Sequence, residues 1–305
     1  MFELPDASDV IAQALAEDLG VDPALFVPGA PAVPGLLEHD VTTYSTVEDG
    51  TGFAGVVRAR QSCVVCGLSV AAAVYERLSA SAGLFDPVEF FPLVAEGERV
   101  EAGAPVAEIE GLARAVLTGE RVALDLMMVL SGIATRTADW VEAAGPQLAV
   151  YDTRKTLPGL RDLSKYAVRV GGGHNHRMGL YDMVLIKDNH LRAAGGVTPA
   201  IGRARLRQPS LTIEVEADSL DQAVEAVSAG ADIVLLDNMD AAALDSAVAA
   251  CRETAERRGR DVVLEVSGNI TYERLEELSS AGVDRVSASA LTLAPPVDFG
   301  LDESI

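Results

Sequence analysis

The sequence predicts an α/β fold in which a barrel of parallel β/α units follows a smaller domain of different construction. Two observations carry this. From about residue 143 onward, short β-branched or aliphatic runs alternate with helical stretches, which is the pattern of parallel β/α units. Before that point the rhythm is absent, and a Pro-rich loop at 28–35 and paired glycines in EGERVEAGAPVAEIEG at 96–111 point to tight hairpins of a small sheet.

Taken in order, the chain opens with an amphipathic helix near 7–19, strand-like residues at 52–60 and a helix over 69–80. A further helix, GERVALDLMMVLSGIAT at 119–135, leads into the repeating half and carries Arg121 near its start. Strands are then expected at 148–151, 183–186, 211–215, 233–236, 262–266 and 285–287. Ser219 and Gln222 have the spacing of a capping box, and Gly230 stops the helix they begin. Thr271 is placed to cap a helix running to 281, before Gly282. Six units can be counted, short of a complete eightfold barrel.

Composition narrows the class. With 305 residues, of which 49% are hydrophobic, the chain can bury a large core. The start, MFELPDASDV, has neither the basic nor the apolar region of a secretory signal, and no uncharged apolar run approaches a membrane span. The expectation is a cytoplasmic protein without membrane contact. Three cysteines cannot form a disulfide framework in a chain of this size. Cys63 and Cys66 make a C-x-x-C, but no second pair or nearby His completes a zinc site, so both are read as small apolar fillers.

The residues just past each strand are more telling. They are Asp152, Thr153, Arg154 and Lys155, then Lys187 and Asp188, Glu216, Asp237 and Asn238, Ser267 to Asn269, and Ser289. In a β/α barrel such positions converge on one mouth, the face where these folds do chemistry. Superimposed on them is a basic island, DTRKTLPGLRDLSKYAVRVGGGHNHRMGLYDMVLIKDNH at 152–190. It holds seven of the 24 Lys and Arg and three of the four His in a chain whose net charge is −22. Cations gathered near a Gly-Gly-Gly turn suit a small, multiply anionic substrate. Nucleic acid is excluded as a partner, because the rest of the surface would repel it.

Several strings then name a family. DTRKTLPGLR at 152–161, KYAVRVGGG at 165–173, HNHRMGL at 174–180 and LIKDNH at 185–190 closely resemble the core of the carboxylating quinolinate phosphoribosyltransferases. HDVTT at 39–43, ERVALDL at 120–126, LSGIAT at 130–135, EVE at 214–216, LLDN at 235–238 and LEVSGNIT at 264–271 extend the match over nearly the whole chain. The resemblance implies an incomplete, six- or seven-stranded α/β barrel over 129–290, preceded by an N-terminal α/β sandwich domain over 1–128. The tail at 291–305 is free to pack on that sandwich. It also implies a homodimer, with assembly into a hexamer left open, in which the sandwich of one subunit closes the barrel mouth of the other.

The implied reaction joins quinolinate to phosphoribosyl pyrophosphate with Mg2+ present, giving nicotinate mononucleotide, pyrophosphate and carbon dioxide. By resemblance, Arg154 and Arg177 belong to the quinolinate site with His176 beside them, and planar guanidinium forks suit carboxylates. Arg121 resembles the arginine supplied from the neighbouring subunit. Lys155 and Lys187 are point charges suited to pyrophosphate, while Glu216 and Asp237 are placed near the ribose and the metal region. These two acids are expected to be the only negative charge inside the pocket. Lys155, Glu216 and Asp237 are the catalytic candidates, with Thr153 in the same loop. The turns Ser267-Gly268-Asn269 and Ala288-Ser289-Ala290 match the family's phosphate loops, which need backbone N–H groups and small side chains. Mg2+ is expected to be held mainly by the substrate phosphates, so no residue is assigned as its direct ligand. One departure stands out: Ser289 occupies a place that usually holds Gly, and Leu293 and Ala294 replace polar residues.

Other readings are weaker. His174 and His176 lack an acid at ligand spacing, and Gly171 to Gly173 lack the dinucleotide-loop pattern. Arg161, Lys165 and Arg169 recur every four residues and read as a solvated or interfacial helix face. A Schiff-base lyase or aldolase would use Lys187 at a barrel strand's end. A phosphoribosyltransferase homologue of altered substrate would make Ser289 the suspect position.

Overall fold

A computed structural model describes residues 3–303. The chain clusters into two compact units. The first comprises the residues up to Arg136, the segment Leu157–Gly172 and the residues from Leu293 on; the second comprises Thr137–Thr156 and Gly173–Thr292. The linear division expected at 128/129 therefore differs from the observed one, because the basic helix Arg161–Val170 clusters with the first unit.

Strands of the first unit are β1 (Gly52–Ala59), β2 (Cys63–Val64), β3 (Glu89–Pro92), β4 (Arg99–Val100) and β5 (Pro105–Leu112). Those of the second are β6 (Ala149–Tyr151), β7 (Val184–Ile186), β8 (Ile213–Ala217), β9 (Ile233–Asp237), β10 (Val263–Ser267) and β11 (Arg285–Ser287). The last strand, β12 (Phe299–Glu303), returns to the first unit.

The first unit is built on an antiparallel sheet of order β12-β1-β5-β3, with β2 and β4 paired separately. Alternation along β1 buries Gly55, Val57 and Ala59, and along β5 it buries Ala107 and Ile109, so the sheet has a core face. The helix Leu68–Ala82 turns Val70, Val74 and Leu78 into that core. C-terminal residues complete the sheet: Leu301 pairs with Val57, and Arg60 grips Asp302 with two hydrogen bonds of 2.6 and 3.2 Å. The final two residues of the expected tail segment lie outside the described residues.

Cys63 and Cys66 are wholly buried, and burial pushes the Cys63 thiol up to about 11. They behave as apolar fillers, in line with the sequence reading. The expected helix at 119–135 is much longer, Ala113–Ala144, because no residue inside it breaks the pattern. Of the solvated and interfacial alternatives for the Arg161, Lys165 and Arg169 face, the solvated one fails at Lys165, which is only 1% exposed. Its helix also buries Leu163, Ser164, Tyr166, Ala167, Val168 and Val170, so burial is not confined to one face.

The second unit carries a parallel sheet of order β6-β11-β10-β9-β8-β7. No β6-to-β7 pairing closes it among the described residues; Tyr151 makes a single parallel bridge to His174. All six expected strands are present, the last at the expected residues and no end of the others shifted by more than two. The capping box is a correction: Ser219 makes no side-chain cap, and Gln222 instead accepts the N–H of Asp218 at 3.2 Å. Thr271 likewise makes no side-chain cap and precedes a 3-10 turn, Tyr272–Arg274, before the short helix Leu275–Ser280. Among the described residues no helix is long and apolar enough to cross a membrane.

Gly132 tests the packing of the first unit. A Cβ there would collide with the Pro295 carbonyl oxygen, a backbone atom that cannot swing aside. Ala favours a helix over Gly by about 1 kcal/mol, but overpacking costs about 1–3 kcal/mol. Gly132→Ala is expected to lower stability by about 1–2 kcal/mol in urea unfolding, net of the helix gain. An unchanged midpoint would show that the segment around Pro295 yields.

Candidate functional site

Each barrel strand delivers its chemistry through the two-residue period. In β8, Glu216 reaches the mouth and Glu214 lies one layer deeper on the same face. In β10 the same relation holds for Ser267 and Glu265, and in β11 for Ser287 and Arg285. The mouth residues surround a cavity of about 900 Å3. Its lining includes Thr153, Arg154, Lys155, His176, Arg177, Lys187, Glu216 and Asp237. The loop residues Ser267, Gly268, Asn269, Ala288, Ser289 and Ala290 line it too, with Leu185 and Leu235 as apolar floor. Thus the residues predicted from the second half of the sequence share one cavity. Arg121 is not among its lining; it lies on the helix Ala113–Ala144, exposed and paired with Asp125 at 3.3 Å.

One end of the cavity is cationic. Burial, and next the charge of Arg154, push the Arg177 guanidinium down from its ordinary value, so two like charges crowd a partly desolvated space. The loop that carries Arg177 is held from behind by Asp152, which is fully buried at the end of β6. Asp152 accepts the His176 N–H at 2.8 Å and the Asn175 side-chain amide at 2.7 Å. Arg177 in turn donates its backbone N–H to His176 Nδ1 at 2.8 Å and reaches the Met183 carbonyl at 3.4 Å. His176 therefore does more than stand beside the arginines. Its ring braces the backbone of one of them.

The acids are held just as firmly. Lys187 Nζ pairs with Glu216 Oε2 at 2.6 Å. Asp237 accepts the Ser267 hydroxyl at 2.9 Å and the Asn238 amide at 2.7 Å, one on each oxygen. Asn238 and Asn269 both adopt left-handed backbone, at φ 54° and 49°, and their side chains meet at 3.3 Å. Such conformations cost of order 1–3 kcal/mol each and tend to collect at functional sites. Gly268, at φ 85°, has no alternative residue: a Cβ would strike the Asn238 amide and come within 2.9 Å of Asp237 Oδ1. Ser289 is different, since its backbone is outside the left-handed region and tolerates a side chain. Thr292 ties this loop to the β6 loop through a 2.7 Å bond to the Lys155 carbonyl.

Among the described residues, Glu216 and Asp237 are the only acids that line the cavity, as expected, but two further carboxyl groups lie beneath it. Glu214 and Glu265 are fully buried one layer below the mouth, against His176 and Arg285. Burial, reinforced by the charge of Glu214, pushes the Glu265 carboxyl up. The sequence offered a signal in hindsight: a charged residue at the centre of an otherwise aliphatic parallel strand, as in IEVEA and VLEVS, cannot face solvent on either side.

Comparisons with known proteins agree with this architecture. Residues 40–131 match the profile of the quinolinate phosphoribosyl transferase N-terminal domain, and residues 133–302 that of its C-terminal domain. A nicotinate-nucleotide pyrophosphorylase [carboxylating] from Mycobacterium leprae is 39% identical over 98% of both chains. A probable enzyme of the same name from Bacillus subtilis is 43% identical over 69% of this chain and 71% of its own. Among solved structures, NadC from Streptococcus pyogenes superposes with a TM-score of 0.83 at 36% identity, covering 98% of this chain and 97% of its own. The nicotinate-nucleotide pyrophosphorylase from Francisella tularensis gives 0.81 at 30% identity, covering 99% and 98%. With both domain profiles matched across most of its length, the chain belongs to the quinolinate phosphoribosyl transferase family.

Proposed function

We propose that this pocket transfers a phosphoribosyl group from phosphoribosyl pyrophosphate to quinolinate and removes the 2-carboxylate. The products are nicotinate mononucleotide, pyrophosphate and carbon dioxide, a step of NAD biosynthesis. The observation that carries the residue assignment is that Arg154 and Arg177 line the same cavity, where the charge of Arg154 helps to lower the Arg177 pKa. Two guanidinium forks in a partly desolvated pocket repel each other until a dianion lies between them, and quinolinate carries two carboxylates on adjacent ring carbons.

Lys155 and Lys187 extend the positive field toward the phosphates. Glu216, held by Lys187, and Asp237, held by Ser267 and Asn238, face the sugar and offset the positive charge that develops at its C1 as pyrophosphate leaves. Because both acids are oriented beforehand, little reorganisation accompanies the step. The 5'-phosphate is received by the Ser267-Gly268-Asn269 and Ala288-Ser289-Ala290 turns, with Ser289 adding a hydroxyl. Once the ring nitrogen is alkylated it is cationic, and the electron pair left by departing carbon dioxide lies next to that charge. No further cofactor is needed for this step; orientation suffices.

Glu216 and Asp237 are hard oxygen donors at the mouth and fit a hard cation, although each already serves a protein donor. Mg2+ would therefore rest mainly on the substrate phosphates and water, where it neutralises pyrophosphate charge. A homodimer is part of the same reading, since Arg121 would then complete the quinolinate site of the partner subunit. A Schiff-base role for Lys187 is disfavoured by its ion pair and by a side chain 47% exposed, because such a lysine must lose its charge by burial.

Carbon dioxide release from carboxyl-labelled quinolinate should require both phosphoribosyl pyrophosphate and Mg2+. Release without the sugar donor, or a borohydride-trapped adduct at Lys187, would overturn the reading. Arg154→Ala and Arg177→Ala should each abolish calorimetric binding of quinolinate while leaving the thermal transition in place. Unchanged affinity in either variant refutes its assignment. Gly268→Ala should lower kcat/KM by about tenfold or more by displacing Asn238 and Asp237; a fully active variant would show that these side chains move without consequence.

A further inference from the structure

Just below the mouth, four largely buried ionisable side chains from four places in the chain meet. His176 Nε2 lies 3.1 Å from Glu214 Oε2 and 3.6 Å from Glu265 Oε1. Arg285 pairs through Nε with Glu265 and through Nη2 with Glu214 at 3.5 Å, while its guanidinium lies 4.6 Å over the Tyr151 ring. Both carboxylates are wholly buried, and the His176 side chain is 7% exposed. Neither Glu214 Oε1 nor Glu265 Oε1 has a hydrogen-bond partner among the described residues. Burying so much charge costs several kcal/mol per ion unless it is compensated, and nothing in the proposed chemistry has used it.

The opposite edge of the imidazole shows what it does. Nδ1 accepts the backbone N–H of Arg177 at 2.8 Å, so that nitrogen must keep its lone pair. The ring proton then belongs on Nε2, where an acceptor has to be waiting. Glu214 is that acceptor. A donor in its place would favour the other tautomer, and Nδ1–H would then face the Arg177 N–H donor to donor. We infer that the buried Glu214, Glu265 and Arg285 are positioning residues that hold His176 in the Nε2–H tautomer and so fix the backbone of Arg177 for its dianionic ligand.

The inference rests on the quinolinate role proposed above for Arg177. Charge in the cluster is consistent with it. Burial first, and then Glu214, push the Glu265 carboxyl up, and Arg285 pairs with both acids, so the cluster carries its own cation beside the ring. His176, Glu214 and Glu265 also present ligand atoms within 4.8 Å of one another, a spacing that a metal ion could use. Arg285 already supplies the cation there, bonded to both acids.

The test compares Glu214→Gln, Glu214→Leu and Glu265→Gln in the full-length protein, with histidine ring 15N spectra assigned by loss of signal in His176→Asn. Wild type should show an unprotonated Nδ1 and a protonated Nε2. Glu214→Gln keeps an acceptor at the ring's Nε2, and Glu265→Gln leaves Glu214 in place, so both should retain that signature. Glu214→Leu should lose it and raise KM for quinolinate about tenfold, the equivalent of ~1.4 kcal/mol, with KM for phosphoribosyl pyrophosphate within about twofold. A wild-type ring protonated on Nδ1 or on both nitrogens overturns the inference, and this arm stands even if Glu214→Leu fails to fold. So does a folded Glu214→Leu with unchanged KM for quinolinate, or stoichiometric Zn2+ binding to the wild type that Glu214→Leu abolishes. Absence of carbon dioxide release by the wild type would instead sink the functional reading itself.

Discussion

Repulsion between Arg154 and Arg177 is the constraint around which the second unit is arranged. Water would screen two guanidinium groups at the surface, but here burial lowers the pKa of the Arg177 guanidinium and the charge of Arg154 adds to the effect, partly offset by Glu214 and Asp182. On the proposed function, a ligand bearing two negative charges would relieve the rest. The protein therefore has to hold the pair in place by other means. Asp152 ties the His176 loop to the end of β6, and Thr292 ties the β6 loop to the β11 turn.

The same logic extends downward through the barrel. Residues two apart on one strand share a face, so a mouth layer of Glu216, Ser267 and Ser287 stands above a layer containing Glu214, Glu265 and Arg285. Polar groups in the upper layer line the cavity, where the proposed function has them meet substrate, and those in the lower layer meet one another. Fixed acids at Glu216 and Asp237 and fixed cations at Arg154 and Arg177 then give a charge pattern that matches an anionic ring acceptor and a sugar about to become positive. Strained backbone at Asn238 and Asn269 is the local cost of aiming Asp237.

Much of this was legible in the chain. Strand positions were readable because aliphatic runs bounded by turn residues leave few other options, and the residues after the runs line one cavity, apart from Asp152 and Asp188. Local capping was less readable: Ser219 and Gln222 had the right spacing, yet Gln222 found Asp218 instead, because several nearby backbone donors compete for one side chain. Lys165 leaves the choice between a solvated and an interfacial face open in the sequence, because a four-residue charge period on a helix says nothing of what packs against it; the residue is buried. Glu214 and Glu265 were quoted within motifs but not recognised as a separate buried layer, since pairing across strands so distant in sequence is a tertiary fact. Ser289, by contrast, was noticed as a departure, and its ordinary backbone explains why a side chain is admitted there.

The account's central claim is that the cavity is built for two carboxylates and not for one. Calorimetric titration of quinolinate against nicotinate, which lacks the 2-carboxylate, tests it most directly. Each charge-assisted contact is worth roughly 1.5–3 kcal/mol, so quinolinate is predicted to bind at least about tenfold tighter at the same ionic strength. Equal affinities for the two would contradict the claim that Arg154 and Arg177 act as a pair.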